Sequence, residues 1–367
     1  MSQYLLVIIW LAIIYVASQL VNVYTYEDVM GVEEKRVKPG FAIITVLPLI
    51  WWAATRSQWL FDTNVYVKAY TDMPSSLSGL SSYLETIEKD KGFSVLSVFI
   101  KSLVGNNWTN YFLILALIKI VLLALVYRKY STHYIVALFL FITTTDYVSW
   151  MQNGIRQFTA VMIIFAATGL MLKKKYIPVI AVILLASTIH GSALLMIPMV
   201  LIAQGKPWNQ KTLMAIVVFA IAIFYVDQFT DLLDVLLDET QYTNVVTDWQ
   251  EGGDDGTNPI RVLVYAIPTI LSIVGYRQIK EADDPVISFA CNMGIMSTLL
   301  YCISTVTSGI FIGRLPIYCS LYATGILLPW ELDNLFTKES TRIIWLGTIV
   351  GFLAFYYYQM HFTWGLI

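Results

Sequence analysis

Charge is what this chain has least of: Asp, Glu, Lys and Arg make up 13% of its 367 residues, against 57% hydrophobic residues. So few charges cannot coat a soluble globule of this size, and a mean hydropathy of +0.67 places the chain in a bilayer. A basic excess is missing too. With a net charge of −2 and no Lys/Arg cluster interleaved with aromatics, nothing marks a nucleic-acid partner. Cysteine is scarce, and Cys291, Cys302 and Cys319 lie in apolar stretches without metal-ligand spacing, so they read as packing residues. No positively charged leader precedes the apolar run from Met1 to Val23 and no clear small-residue cleavage site follows it, so it reads as a retained first span. Glycine-rich phosphate loops, zinc-ligand pairs, a nucleophile elbow and an Asp-x-Asp motif are all absent. The common soluble-enzyme chemistries are thereby excluded, and no metal or cofactor is expected. Nor is there an internal repeat of the kind that marks secondary transporters.

Long apolar runs are what the chain has instead. A helix that crosses the hydrocarbon needs about 20 apolar residues. Such stretches occur at roughly 3–24, 40–55, 107–127, 132–149, 155–172, 212–229, 260–276, 285–308, 309–332 and 343–360. The stretch 176–203 is too long for one span and too short for two. It is broken at Ile189-His190-Gly191-Ser192, so two short helices meeting at His190 are expected, as a tight hairpin or a re-entrant pair. The expected fold is all-α: one polytopic transmembrane domain over 1–367, with about twelve helices and large outer loops at about 55–106 and 230–259.

Orientation follows from the asymmetry of basic residues. With the N-terminus outside, fourteen of the 23 basic residues, Lys173 to Lys175 among them, fall in inside loops. The first outer segment contains a polar amphipathic portion, Pro74 to Lys91, followed by Phe93 to Val104, which reads as an interfacial helix. The second is acidic. It is either simply solvated or a flap over an outward-facing cavity, bending at Gly252-Gly253.

The polar residues that remain near span ends gather in the outer half. The most informative run is Asn153-Gly154-Ile155-Arg156-Gln157, a polar cluster with a full positive charge opening an apolar helix. Such an arginine is costly unless it sits in a polar cavity and binds something anionic. Helical spacing would put Asn153, Arg156 and Gln157 on one face. Arg56 ends the second span, Arg314 lies near the outer end of another, and His190 tops the break in 176–203. Planar guanidinium forks suit a diphosphate, because each can donate two aligned hydrogen bonds. Every one of these also has a structural use: Arg56 as an interfacial anchor, Arg156 and Arg314 as donors to nearby carbonyls, His190 as a helix cap. Asp62, Asp90 and Asp146 are the neighbouring carboxylates. A carboxylate beside an arginine is more often its ion-pair partner than a base, so His190 is the better candidate for general base.

Three segments together, Asn153 to Gln157, Ser187 to Leu195, and Arg56 followed by Asp62 and Tyr66, resemble the EpsG family of Wzy-type polysaccharide polymerases, with Arg314 to Tyr318 as further support. The resemblance implies a multi-pass enzyme of the bacterial cytoplasmic membrane. It would join oligosaccharide repeat units carried on a polyprenyl diphosphate, at an outward-facing site, for O-antigen, capsule or exopolysaccharide. Its donor and acceptor would be lipid-linked oligosaccharides, with membrane lipids, a chain-length regulator and a flippase as partners. His190, Arg156, Arg314 and Asp62 would be catalytic. Arg56, Asn153, Gln157, Tyr66, Asp90 and Tyr318 would bind substrate. A ligase or other polyprenyl-sugar glycosyltransferase shares this logic and differs in acceptor; a flippase for the same lipid would need access from both leaflets.

Overall fold

The computed structural model describes residues 2–237, 253 and 256–367. Most of the expected second outer loop, with the Gly252 half of its expected bend, lies outside the described residues. Helix accounts for 77% of the described residues, as an all-α fold requires. Packing separates two units: Met1–Met171, Lys175–Leu194 and Arg342–Ile367 form the first, and Leu172–Lys174 with Leu195–Thr341 the second.

The first unit opens with α1 (Gln3–Leu20), followed by an antiparallel hairpin of β1 (Tyr24–Val29) and β2 (Val32–Val37). The hairpin was not expected, because its charges read as an ordinary inside loop. It forms because Met30 and Gly31 both adopt positive φ, 58° and 92°, the two-residue turn whose twist matches paired strands. Arg36 then donates to Glu34, and to the Lys129 carbonyl at 2.8 Å, while Arg128 pairs with Glu27. Proline at the first helical position starts α2 (Pro39–Ala54). The expected outer segment folds as α3 (Thr63–Asp72), α4 (Leu80–Glu85) and α5 (Lys91–Val104), and Asn107 caps α6 (Trp108–Tyr130) by accepting from Asn110 N–H. After α7 (Tyr134–Thr143), Thr145 at φ 70° lets the chain bend by 78° into a π-helical segment, Tyr147–Asn153. Then come α8 (Ile155–Ala166), α9 (Thr168–Leu172) and α10 (Tyr176–Ile189). The C-terminal helix Lys338–Tyr358 returns to α1, where Tyr356 donates its hydroxyl to the Tyr4 carbonyl at 3.0 Å.

One buried lysine anchors the outer segment. Lys101 in α5 is 1% exposed and donates to the carbonyls of Tyr70, Thr71 and Met73 at 2.7, 2.9 and 2.6 Å. A cation at the C-terminal end of α3 satisfies orphan carbonyls and opposes the negative end of the helix dipole. Lys101→Met keeps the apolar stem and removes all three bonds. It is expected to destabilise the protein by about 3 kcal/mol, since each stranded carbonyl costs about 1 kcal/mol or more. Thermal unfolding in detergent checks this, and an unchanged midpoint would refute the anchoring role.

The second unit is built around the helix Pro285–Ser304, 83% of whose apolar window is buried. Asn292 on that helix clamps the turn that follows Ala203. It donates to the carbonyls of Ala203 and Lys206, both at 3.0 Å, and accepts from Trp208 N–H at 3.0 Å.

By length and composition, four helices among the described residues can cross a membrane, or up to seven if each bent pair counts as one span. The expected count of about twelve is therefore not confirmed. The difference lies in Pro39–Ala54, Ile155–Ala166, Tyr176–Ile189 and Gly191–Ala203, which are apolar but only 10–17 residues long, shorter than the hydrocarbon is thick. The expected run 309–332 is likewise split, into Ile312–Arg314, Ile317–Tyr322, a π segment and Leu328–Asn334. The break at His190 is present, with a helix on either side, but the tight hairpin around it is not established.

Candidate active site

Three segments far apart in the chain meet within the first unit: the start of α5, the start of α8 and the end of α10. Gly92 permits the approach. A Cβ there would fall 2.2 Å from Thr188 Oγ1 and 2.8 Å from the Thr188 backbone, so only glycine lets the first turn of α5 lie against the last turn of α10. Asp90 enters α5 at φ 55°, and its Oδ2 meets Arg156 Nη1 at 2.9 Å. It also accepts from the Gly191 N–H, one residue after His190. The Asp90 side chain is 7% exposed and that of Arg156 45% exposed, so the buried carboxylate backs an exposed arginine. Burial pushes the Asp90 carboxyl above the usual range; the Arg156 charge, the Gly191 N–H and Lys89 draw it partly back.

The turn that presents Arg156 is made locally. Asn153 closes the π segment, and at Gly154 a Cβ would come 2.7 Å from the Trp150 ring. Lys119, buried in the middle of α6, donates to the Met151 carbonyl at 3.0 Å. It satisfies a carbonyl at the end of the segment that leads into Arg156. Gln157 is 5% exposed and turns into the core while Arg156 turns out. The single face expected for Asn153, Arg156 and Gln157 is therefore not formed, because the helix starts only at Ile155.

His190 stops α10 in an extended conformation, φ −157° and ψ 118°, and is half-buried. Its Nδ1 lies 2.7 Å from Ser192 Oγ. If the ring donates there, the lone pair is left on Nε2, the tautomer a general base needs; if Ser192 donates, it is not. Ser192 was quoted in the sequence motif without a role, and this contact supplies one.

Arg56 lies at the end of α2 and is 2% exposed. Nε donates to Thr63 Oγ1 at 3.1 Å and Nη1 to the Ala53 carbonyl at 2.6 Å, and the guanidinium stacks 3.9 Å from the Phe112 ring centroid. Its contacts join α2, α3 and α6. Asp62, exposed, donates its backbone N–H to Asn153 Oδ1 at 3.3 Å, and Tyr66 packs edge-on against Phe93 at 6.5 Å. Asp146 is fully buried and accepts from the Thr144 hydroxyl at 3.2 Å.

Arg314 and Tyr318 belong to the second unit. Arg314 is exposed and Tyr318 is 2% exposed. Backbones cross tightly beside Arg314, where a Cβ on Gly256, Gly309 or Gly313 would come within 2.7, 2.7 and 2.4 Å of neighbouring atoms.

The geometry assembles an exposed, permanently charged guanidinium able to donate hydrogen bonds to an anion, a buried carboxylate behind it and an imidazole on the adjoining turn. No curated protein and no solved structure matches this chain. A model of the EpsG family matches residues 41–364, which takes in Arg56, Arg156, His190 and Arg314. Over nearly its whole length, then, the chain belongs to the EpsG family.

Proposed function

We propose that the protein is a membrane glycosyltransferase, a Wzy-type polymerase that joins polyprenyl-diphosphate-linked oligosaccharide repeat units at an outward-facing site of the cytoplasmic membrane. The observation that carries this reading is the Asp90–Arg156 pair at 2.9 Å, tied to the turn that bears His190. Arg156 receives the donor's diphosphate and neutralises the charge that grows on it as the glycosidic C1–O bond breaks. His190 accepts the proton of the acceptor hydroxyl as that oxygen bonds to C1 from the opposite side, which inverts the anomeric configuration. A diphosphate leaves without needing a proton, and guanidinium groups can stabilise it without a metal. A short hairpin at His190 and about twelve helices in one transmembrane domain belong to this reading.

Purified full-length protein given a single lipid-linked repeat unit should yield a ladder of products, with or without a chelator of divalent ions. One addition and no ladder would point to a ligase. Activity lost in chelator and restored by one divalent ion would remove the arginine-only account.

A further inference from the structure

Three turns enclose a cavity that the chemistry above does not use: the one between α9 and α10, the one after Ala203, and the one between the helices Tyr276–Ala282 and Pro285–Ser304. Each bends at a residue of positive φ, Lys174 at 54°, Gly205 at 111° and Asp283 at 47°. The cavity measures about 220 Å³, roughly the share of seven water molecules in the liquid. Lys174, Gln204, Lys206, Asp283 and Ser288 form its polar wall, with Leu172 and Phe289 on the apolar side. All of them lie in the second unit, and none belongs to the candidate active site.

The polar groups of this wall are left without partners. Ser288 is 7% exposed, yet its hydroxyl has no hydrogen-bond partner among the described residues, and neither do the ammonium groups of Lys174 and Lys206 or the carboxylate of Asp283. The other acids nearby are already engaged. Asp284 accepts from the N–H groups of Val286 and Ile287 at 2.7 and 3.3 Å, and Glu281 pairs with Arg277 at 2.7 Å. Lys211 stands close enough to Lys174 for the two charges to repel. A buried hydroxyl without a partner and a gathering of like charges both cost free energy, and a ligand that accepts hydrogen bonds relieves both. The wall is also preformed, because Asn292 holds the turn that carries Lys206.

We infer that this cavity binds a phosphate ester that carries a hydroxyl group. The two ammonium groups and the Ser288 hydroxyl donate to phosphate oxygens, for which lysine is a common partner. Asp283 accepts from the ligand's hydroxyl, and Leu172 and Phe289 meet its carbon chain. A bare phosphate is disfavoured, since Asp283 would repel it with nothing to accept in return. Two sources offer the required chemistry: the glycerophosphate headgroup of a lipid, from the leaflet beside the loops that the basic-residue asymmetry assigns to the inside, and a soluble phosphate ester. Neither depends on the polymerase reading, and the test below involves no polymerisation.

Purified full-length protein in an uncharged detergent is titrated with short-chain phosphatidylglycerol, phosphatidylcholine of the same chain length, glycerol 1-phosphate and inorganic phosphate. Binding is read by native mass spectrometry and by the thermal unfolding midpoint, which a ligand of the folded state raises. At least one of the two glycerophosphate probes should bind; phosphatidylcholine, with no net charge and no hydroxyl for Asp283, should not. Tighter binding of the lipid assigns the site to a headgroup, and tighter binding of glycerol 1-phosphate to a soluble ester. Lys206→Gln should weaken binding about tenfold and Ser288→Ala about fivefold, the sizes of one charge-assisted and one neutral hydrogen bond. Lys173→Gln removes an exposed lysine of the same basic run that does not line the cavity, and it should leave the affinity unchanged. Equal losses in Lys173→Gln and Lys206→Gln would show general attraction to a basic loop and overturn the inference. Inorganic phosphate or phosphatidylcholine bound as well as the glycerophosphate probes, or no binding of either of those probes by the wild-type protein, overturns it too.

Discussion

His190→Ala is expected to slow repeat-unit transfer by about 10²- to 10⁴-fold, the usual contribution of a positioned general base, while the donor still binds. Binding should survive because the diphosphate is assigned to Arg156, whose pairing with Asp90 does not involve the imidazole. Insertion and folding should survive as well, since the substitution adds no charge to the bilayer. The diagnostic readout is the pH–rate profile. In the wild-type protein the rate should fall on the acid side as the imidazole takes up a proton, and the variant should lose that limb. Ser192→Ala offers a milder companion: it removes the partner of Nδ1 and should lower the rate without abolishing it, because the tautomer is no longer selected. A His190→Ala protein that polymerises at close to the wild-type rate would assign His190 to ending α10. The base would then be sought among Asp62, Asp90 and Asp146.

Arg156→Lys should cost about 10²-fold in turnover, the size of effect seen when one preorganised donor is removed from a developing negative charge. Lysine keeps the charge and loses the planar fork. It can answer Asp90 or reach the diphosphate, whereas the guanidinium can do both from fixed directions. The loss should therefore appear mainly in kcat, with a smaller change in donor KM. Single-turnover measurement with saturating lipid-linked donor separates the two. A fully active Arg156→Lys protein would move the donor site elsewhere.

The parts of the site that were legible in the sequence are those whose chemistry conflicts with their solvent. Arg156 and His190 stood out because a charge and an imidazole beside apolar runs need a reason. Their roles remain proposals, but the segments that bear them do meet in the fold. Contact across distant segments was not legible. Nothing local says that Asp90 turns towards Arg156, since that depends on Gly92 passing Thr188 at a distance no other residue allows. Arg56 shows the same limit: an arginine at a span end can turn outwards to the interface or inwards, and here Phe112 and Thr63, far along the chain or across a turn, draw it in. Gln157 was read on the wrong face because the count began at Asn153, whereas the helix begins after Gly154. The hairpin at Tyr24–Val37 was missed because its turn, Met-Gly, lacks the Asn or Asp that usually announces positive φ. Hydropathy found where apolar helix lies but not the bends and π segments that divide an apolar run.

The first unit takes its last piece, Arg342–Ile367, from the far end of the chain. During synthesis α1 and α2 leave the ribosome long before the helix whose Tyr356 reaches Tyr4. The whole of the second unit is made in the interval. Domains usually assemble in order as they emerge, but here the unit that holds Arg156 and His190 cannot be completed until Arg342–Ile367 has been translated. A premature stop anywhere before Arg342 would therefore leave α1 without its closing partner, however intact every residue of the candidate site.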